Sequence, residues 1–180
     1  MKVIAIVGMP GTGKSEVARL FARNGFSSIR FGDITDAEVK KRGLELNEAN
    51  ERRVRELLRQ EHGMATYARL NLPKIDRALE QANVVIDGLY SWEEYTFLKE
   101  RFGSEFLVVA VWSSPTTRYD RLGKRGHREL TPQEASQRDR AEIENVNKGG
   151  PIAMADYTIS NETTVAELER QAERIITELE

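Results

Sequence analysis

A run of five apolar residues, Val3-Ile4-Ala5-Ile6-Val7, leads directly into Gly8-Met9-Pro10-Gly11-Thr12-Gly13-Lys14-Ser15, and this junction constrains the chain more than any other feature. An apolar run without polar alternation is the pattern of a strand covered on both faces, as in a parallel sheet. The residues that follow match G-x-x-x-x-G-K-[ST] in full, and each position has a physical task. Glycines permit positive φ and let main-chain N–H groups close around an anion with no Cβ in the way. A helix that begins near Lys14 adds its positive dipole end. Lys14 is then placed to bridge the β- and γ-phosphates of a nucleotide, and the Ser15 hydroxyl to ligate Mg2+. The competing reading is a Gly-rich turn with an accidental Lys-Ser; the strand before it and the helix after it argue against that. The expectation is that Gly8, Met9, Pro10, Gly11, Thr12, Gly13, Lys14 and Ser15 hold ATP or another nucleoside triphosphate.

Further apolar runs repeat the opening pattern. Val84-Val85-Ile86 and Phe106-Leu107-Val108-Val109-Ala110-Val111-Trp112 read as buried strands, with Ser28-Ile29-Arg30-Phe31 and Tyr157-Thr158-Ile159 as weaker ones. Helix starts are marked by capping boxes at Thr35/Glu38, Ser91/Glu94, Thr131/Glu134 and Thr164/Glu167. Pro115 and Pro132 each follow a Ser or Thr, which suits the first helical position. The last helix carries Val165, Leu168, Ala172, Ile175 and Leu179 on one face, a core-packing stripe. Strands that alternate with helices imply right-handed crossovers. The predicted fold is α/β: one three-layer α/β/α domain over residues 1–180, with a central parallel sheet of about five strands and a small helical lid at about 115–145.

At 180 residues the chain has room for a full core, and 39% hydrophobic with 31% charged residues is an ordinary globular composition. A net charge of −2 argues against a general nucleic-acid partner. With no cysteine, disulfides, thiolate nucleophiles and Cys-based zinc sites are excluded, and the two histidines, His62 and His127, are scattered. No stretch approaches the ~20 apolar residues of a membrane span. A cytoplasmic protein with a small-molecule partner and no membrane or nucleic-acid partner is expected; the oligomeric state is not legible.

Asp87 closes the run Val84-Val85-Ile86 and precedes Gly88, so it falls at the ligand-binding edge of an open α/β sheet, where it could hold a magnesium-bound water. Asp33, after Arg30-Phe31-Gly32, is a candidate base for an attacking hydroxyl. For both, a turn aspartate is the bland alternative. After the long fourth run the chain is basic, with Arg118, Arg121, Lys124, Arg125, Arg128, Arg138 and Arg140. Arg121 and Arg125 share a helix face and are candidates to stabilise charge on a transferring phosphoryl group, with 123–131 as a mobile segment over it. Pairing of these arginines with Asp139 and Glu142 on a solvated surface is the alternative. Trp92 and Trp112 read as packing residues. The mixed-charge run 51–59 reads as a solvated helix face that could also line an acceptor pocket.

Taken together, these residues resemble the small-kinase branch of P-loop proteins, the nucleoside monophosphate kinases and dephospho-CoA kinase, and most resemble an archaeal-type group related to both. Gly-Met-Pro-Gly-Thr-Gly-Lys-Ser is like the adenylate kinase loop, Phe31-Gly32-Asp33 is similar to the entry into the acceptor-binding helix, and Arg121-Leu122-Gly123-Lys124-Arg125 resembles the lid entrance. Ala155-Asp156-Tyr157-Thr158-Ile159-Ser160-Asn161 is similar to the tail of dephospho-CoA kinase, which implies contact of Asn161 with adenine through backbone atoms. The resemblance also implies acceptor-phosphate arginines after the Gly-Asp and Asp-Gly pairs, but Asp36 and Tyr90 stand there, so the acceptor half departs from the pattern. Arg30, Lys40, Lys41, Arg42 and Arg69 are possible replacements.

The implied activity is phosphoryl transfer from Mg-ATP to a small-molecule acceptor, a nucleotide or a nucleotide-like compound such as dephospho-CoA. Lys14, Asp33, Arg121 and Arg125 are the catalytic candidates, with Ser15 and Asp87 on the metal. The alternatives are a P-loop regulator or slow NTPase, and a binding protein that keeps the cradle without transfer. The chain lacks an Asn-Lys-x-Asp motif for reading guanine and lacks a Glu directly after Asp87.

Overall fold

The computed structural model describes residues 1–126 and 129–179. Within them lies one five-stranded, wholly parallel sheet in the order β2-β3-β1-β4-β5. The strands are β1 (Val3–Val7), β2 (Ser27–Arg30), β3 (Val84–Asp87), β4 (Phe106–Trp112) and β5 (Tyr157–Ser160). All five match the apolar runs read from the sequence, and the sheet has the expected strand number and direction.

The side-chain alternation of β1 splits the core. Val3, Ala5 and Val7 face one side with Val84, Ile86, Phe31 and Tyr67, while Ile4 and Ile6 face the other with Val85, Phe21 and Ile176. The second face is covered by α1 (Lys14–Arg23) and α9 (Val165–Leu179), which pack on each other. The first is covered by α2 (Asp33–Lys41), α3 (Glu48–His62), α4 (Thr66–Leu79), α5 (Trp92–Phe102) and the short α8 (Gly149–Ala153). All five residues of β1 are fully buried, so each contributes roughly 1–3 kcal/mol of apolar transfer energy. Because the connection leaving β1 runs one way along the sheet to β2, while the connection leaving β3 runs the other way past β1 to β4, the carboxyl ends of β1 and β3 open a crevice at the top of the sheet.

α6 (Pro115–Gly123) and α7 (Pro132–Val146) occupy the region expected to be a lid, joined by 124–131. Both prolines stand at a helix start, and Thr131/Glu134 and Ser91/Glu94 form complete capping boxes. Thr164 Oγ1 accepts from the Glu167 N–H at 3.2 Å. The fourth expected box is absent: α2 begins at Asp33, and Thr35 lies inside it with its hydroxyl 2.7 Å from the Tyr67 hydroxyl. A buried tertiary partner takes the hydroxyl that the cap would have used. In α9, Val165 is 64% exposed and Ile176 joins the buried stripe instead. No helix among the described residues is long and apolar enough to cross a membrane. Two residues of the sequence analysis, Arg128 of the basic region and His127 of the two scattered histidines, lie outside the described residues.

Candidate active site

The turn after β1 is clamped from behind by close packing that only glycine allows. Gly8 has φ +146°, and a Cβ there would lie 2.3 Å from the Val111 carbonyl oxygen. Gly13, the N-cap of α1, has φ +92°, and its Cβ would lie 2.6 Å from Asn161 Nδ2. That Asn161 amide donates to the Thr12 carbonyl at 2.8 Å, while its main chain is held by Trp112 and Ser113. The sequence suggested a backbone role for Asn161; its buried side chain braces the loop. On the other side Arg118 Nη1 donates to the Pro10 carbonyl at 3.1 Å. The loop is therefore held before any ligand arrives, which limits the ordering cost of binding.

Lys14, the first residue of α1, folds back over this turn and donates to the Met9 carbonyl at 2.8 Å, beside the Thr12 hydroxyl, which donates to the same oxygen at 3.0 Å. Burial lowers its pKa to about 7, and the nearby Lys148 adds to the shift. Glu142 and Asp87 oppose it. Asp87 ends β3, in register with Ile6 of β1 and Arg30 of β2. Lys14, Ser15 and Asp87 all line one cavity of about 670 Å³.

The far wall of that cavity is made by α3 and α7, with Arg52, Arg55, Arg59 and Arg138 among its residues. Most of these charges are paired. Glu48 accepts from Arg55 at 2.8 Å and from Arg138 at 3.4 Å, and Arg138 also reaches Glu142 at 3.2 Å. Glu142 meets Lys148 as well. Burial alone would raise the Glu142 carboxyl, but Lys148 and Arg138 outweigh it and hold the pKa down at about 2. The wall is thus an alternating donor–acceptor surface rather than a bare cationic patch. The mixed-charge run read as a possible acceptor lining does face the cavity.

Other candidates lie elsewhere. Asp33 starts α2, is 58% exposed and accepts from Arg30 Nη1 at 2.8 Å; it is not among the cavity residues, whereas Asp36, bound to the same nitrogen at 2.7 Å, is. Arg121 turns away from the cavity toward Ser113 Oγ at 3.1 Å and Asn161 Oδ1 at 3.4 Å. Arg125 lines the cavity. Arg140 pairs with Glu144 on the exposed face of α7. Of the suggested replacement cations only Arg30 reaches the cavity: Lys41 and Arg42 pair with Glu38, Arg69 lies over the Phe97 ring, and Lys40 is exposed. Trp92 stacks on Tyr95 with ring centroids 5.1 Å apart, while Trp112, expected to be packed, is 50% exposed at the end of β4. Sequence reasoning missed Lys148. A lysine in a Gly-rich stretch carries no periodic signal, and only its burial marks it.

The chain matches a family model described as an AAA domain over residues 4–144. It is 36% identical to the UPF0200 protein TK1334 of Thermococcus kodakarensis, over 98% of this chain and 97% of that one. Among solved structures it resembles TT1252 from Thermus thermophilus (TM-score 0.70, 20% identity, 99% and 98% of the two chains). A shikimate kinase from Bacteroides thetaiotaomicron (TM-score 0.63, 17% identity, 99% and 98%) and dephospho-CoA kinase from Campylobacter jejuni (TM-score 0.58, 14% identity, 99% and 97%) share the fold. The domain is a kinase-like P-loop fold, and the chain belongs to the UPF0200 family, with residues 4–144 forming its AAA domain.

Proposed function

We propose that this protein is an ATP-dependent kinase that phosphorylates a small-molecule acceptor, a nucleotide or a nucleotide-like compound such as dephospho-CoA. One observation carries the reading: the P-loop residues Lys14 and Ser15, the strand-end Asp87 and a wall of paired guanidinium and carboxylate groups all face one cavity of about 670 Å³. That volume suits a nucleotide-sized ligand. A plain NTPase has no need of the second, polar half.

The residues fit magnesium and a triphosphate. Gly8 and Gly13 stand where a Cβ would collide with the structure bracing the loop, so the close backbone packing is a specific requirement. No cluster of three or more His, Cys, Asp or Glu side chains that could cage a metal occurs among the described residues. That agrees with magnesium held by one hydroxyl and one carboxylate, Ser15 and Asp87, and otherwise by water and phosphate. When bound, magnesium–ATP supplies an electrophilic γ-phosphorus: an acceptor hydroxyl oxygen bonds to it, the bond to the β–γ bridging oxygen breaks with its electron pair leaving on ADP, and the hydroxyl proton passes to a carboxylate.

Lys14 neutralises charge at the phosphates. Its depressed pKa recovers as it gains an anionic partner. With Asp87 assigned to the metal, Asp36 is the cavity carboxylate next nearest in the chain to a strand end, and it replaces the exposed Asp33 as the candidate to take the proton. Arg125 faces the cavity from the connection 124–131 and is suited to stabilise equatorial oxygen charge. Arg121, tied to Ser113 and Asn161, is better suited to bracing the nucleotide side.

The test is a screen of acceptors with ATP labelled in the γ-phosphate. Label that moves to a nucleotide, dephospho-CoA or another hydroxyl compound supports the kinase. Release of inorganic phosphate with every acceptor tried supports the regulator or slow NTPase instead.

A further inference from the structure

Lys148 has a side chain only 3% exposed, yet it reaches the cavity that holds Lys14 and Ser15. Local backbone geometry puts it there. α7 ends at Val146, and Asn147 turns the chain in a left-handed conformation with φ 53°. The Lys148 N–H then donates to the Glu142 carbonyl at 3.2 Å, a bond that folds the chain back over the last helical turn. Lys148 Nζ meets the carboxylate of the same Glu142 and lies 5.4 Å from the centroid of the Tyr90 ring. Arg138 draws on that carboxylate too. A desolvated ammonium whose paired carboxylate is shared with an arginine is poorly compensated. It is also a like charge for Lys14, on which it exerts the largest electrostatic effect of any neighbour. Two lysines facing one cavity repel each other, and Glu142, the carboxylate that acts on both, is shared with Arg138.

We propose, on the reading that this cavity binds a donor triphosphate, that Lys148 contacts the terminal phosphate, whose oxygens take the ammonium from Glu142 while the Tyr90 ring fixes its side of approach. Glu142 is then the partner that holds Lys148 in place when the site is empty.

The test is calorimetric binding, with magnesium, of ADP and of the non-hydrolysable triphosphate analogue adenylyl imidodiphosphate. The wild type binds the analogue more tightly than ADP. Lys148→Met weakens the analogue by about tenfold or more and leaves ADP within about twofold, and Lys148→Arg restores part of the loss. Glu142→Gln, which frees the ammonium, strengthens the analogue and not ADP. Equal wild-type affinities, a preference that survives Lys148→Met, or equal losses for both nucleotides would each overturn the proposal. If Lys148→Met does not fold, Glu142→Gln decides, and analogue binding that is unchanged or weaker overturns it. A wild-type protein that binds neither nucleotide brings down the triphosphate reading itself, which is a separate failure.

Discussion

Arg118 grips Asp139 through both carboxylate oxygens, at 2.9 and 2.6 Å, while the same guanidinium donates to the Pro10 carbonyl of the P-loop at 3.1 Å. One side chain thus joins the loop, α6 and α7, the last of which carries Arg138 and Glu142 to the cavity. A buried pair of this kind contributes little net stability when compared with apolar residues, but removing one member strands a buried charge. Arg118→Met is therefore expected to lower the unfolding free energy by about 3 kcal/mol in urea titrations. The double variant Arg118→Met/Asp139→Leu should recover a good part of it. A single-variant loss below about 1 kcal/mol would show that the pair is not isolated from water.

Lys14 is expected to make triphosphate binding pH-dependent. Free, it loses its proton at about 7 rather than 10.5, chiefly through burial. Bound phosphates favour the charged form and raise that value. Between the two values the complex holds a proton that the free protein lacks, so affinity falls as pH rises above about 7. Titrations at pH 8 in buffers of different ionisation heat should show uptake of close to one proton. Binding without uptake contradicts the assignment of Lys14 to the phosphates.

Arg125 and Lys14 should separate binding from transfer. Lys14→Ala is expected to abolish measurable ATP binding. Arg125→Ala should lower the rate of transfer by about 10²-fold, the scale for losing one charge-stabilising donor, with ATP affinity changed by less than about threefold. Equal losses in rate and affinity would make Arg125 a binding residue and not part of the transfer chemistry.

Glu94 gives a stability test away from the cavity. Burial raises its carboxyl to about 7, against 4.5 in the unfolded chain, despite hydrogen bonds from the Tyr90 and Ser91 amides. The native state therefore binds more protons than the unfolded state between these values. Stability from the protonated form is complete below about 4.5 and is lost as pH rises through about 7. Glu94→Gln keeps an acceptor oxygen and cannot ionise. Its stability relative to wild type should rise by roughly 1–3 kcal/mol between pH 4.5 and 7 and then level off. A flat difference curve means that the carboxyl ionises at its ordinary value.

The sheet and cradle were legible because local rules and global packing agree on them. Val3 to Val7 can be buried on both faces only in a covered parallel sheet, and the glycine spacing that follows is useful only in a turn that wraps an anion. Capping signals worked where nothing competed, as at Ser91 and Thr131, and failed at Thr35, whose hydroxyl found Tyr67 across the core.

The polar wall of the cavity was not legible, because it is assembled from residues far apart in the chain. No spacing rule connects Glu48 with Arg138, or Pro10 with Arg118 and Asp139, since these pairs exist only after α3, α6 and α7 have packed. Asp33 and Asp36 lie on one face of α2 and share Arg30 Nη1, and only the packing of α2 leaves the first in solvent and sets the second at the cavity. The order of residues by itself determined a βαβ phosphate-binding unit in a parallel sheet, because hydrophobic periodicity and backbone freedom are properties of neighbours in the chain. Tertiary structure alone decided which charges meet, and at what depth, because Coulomb and desolvation energies depend on separation in space.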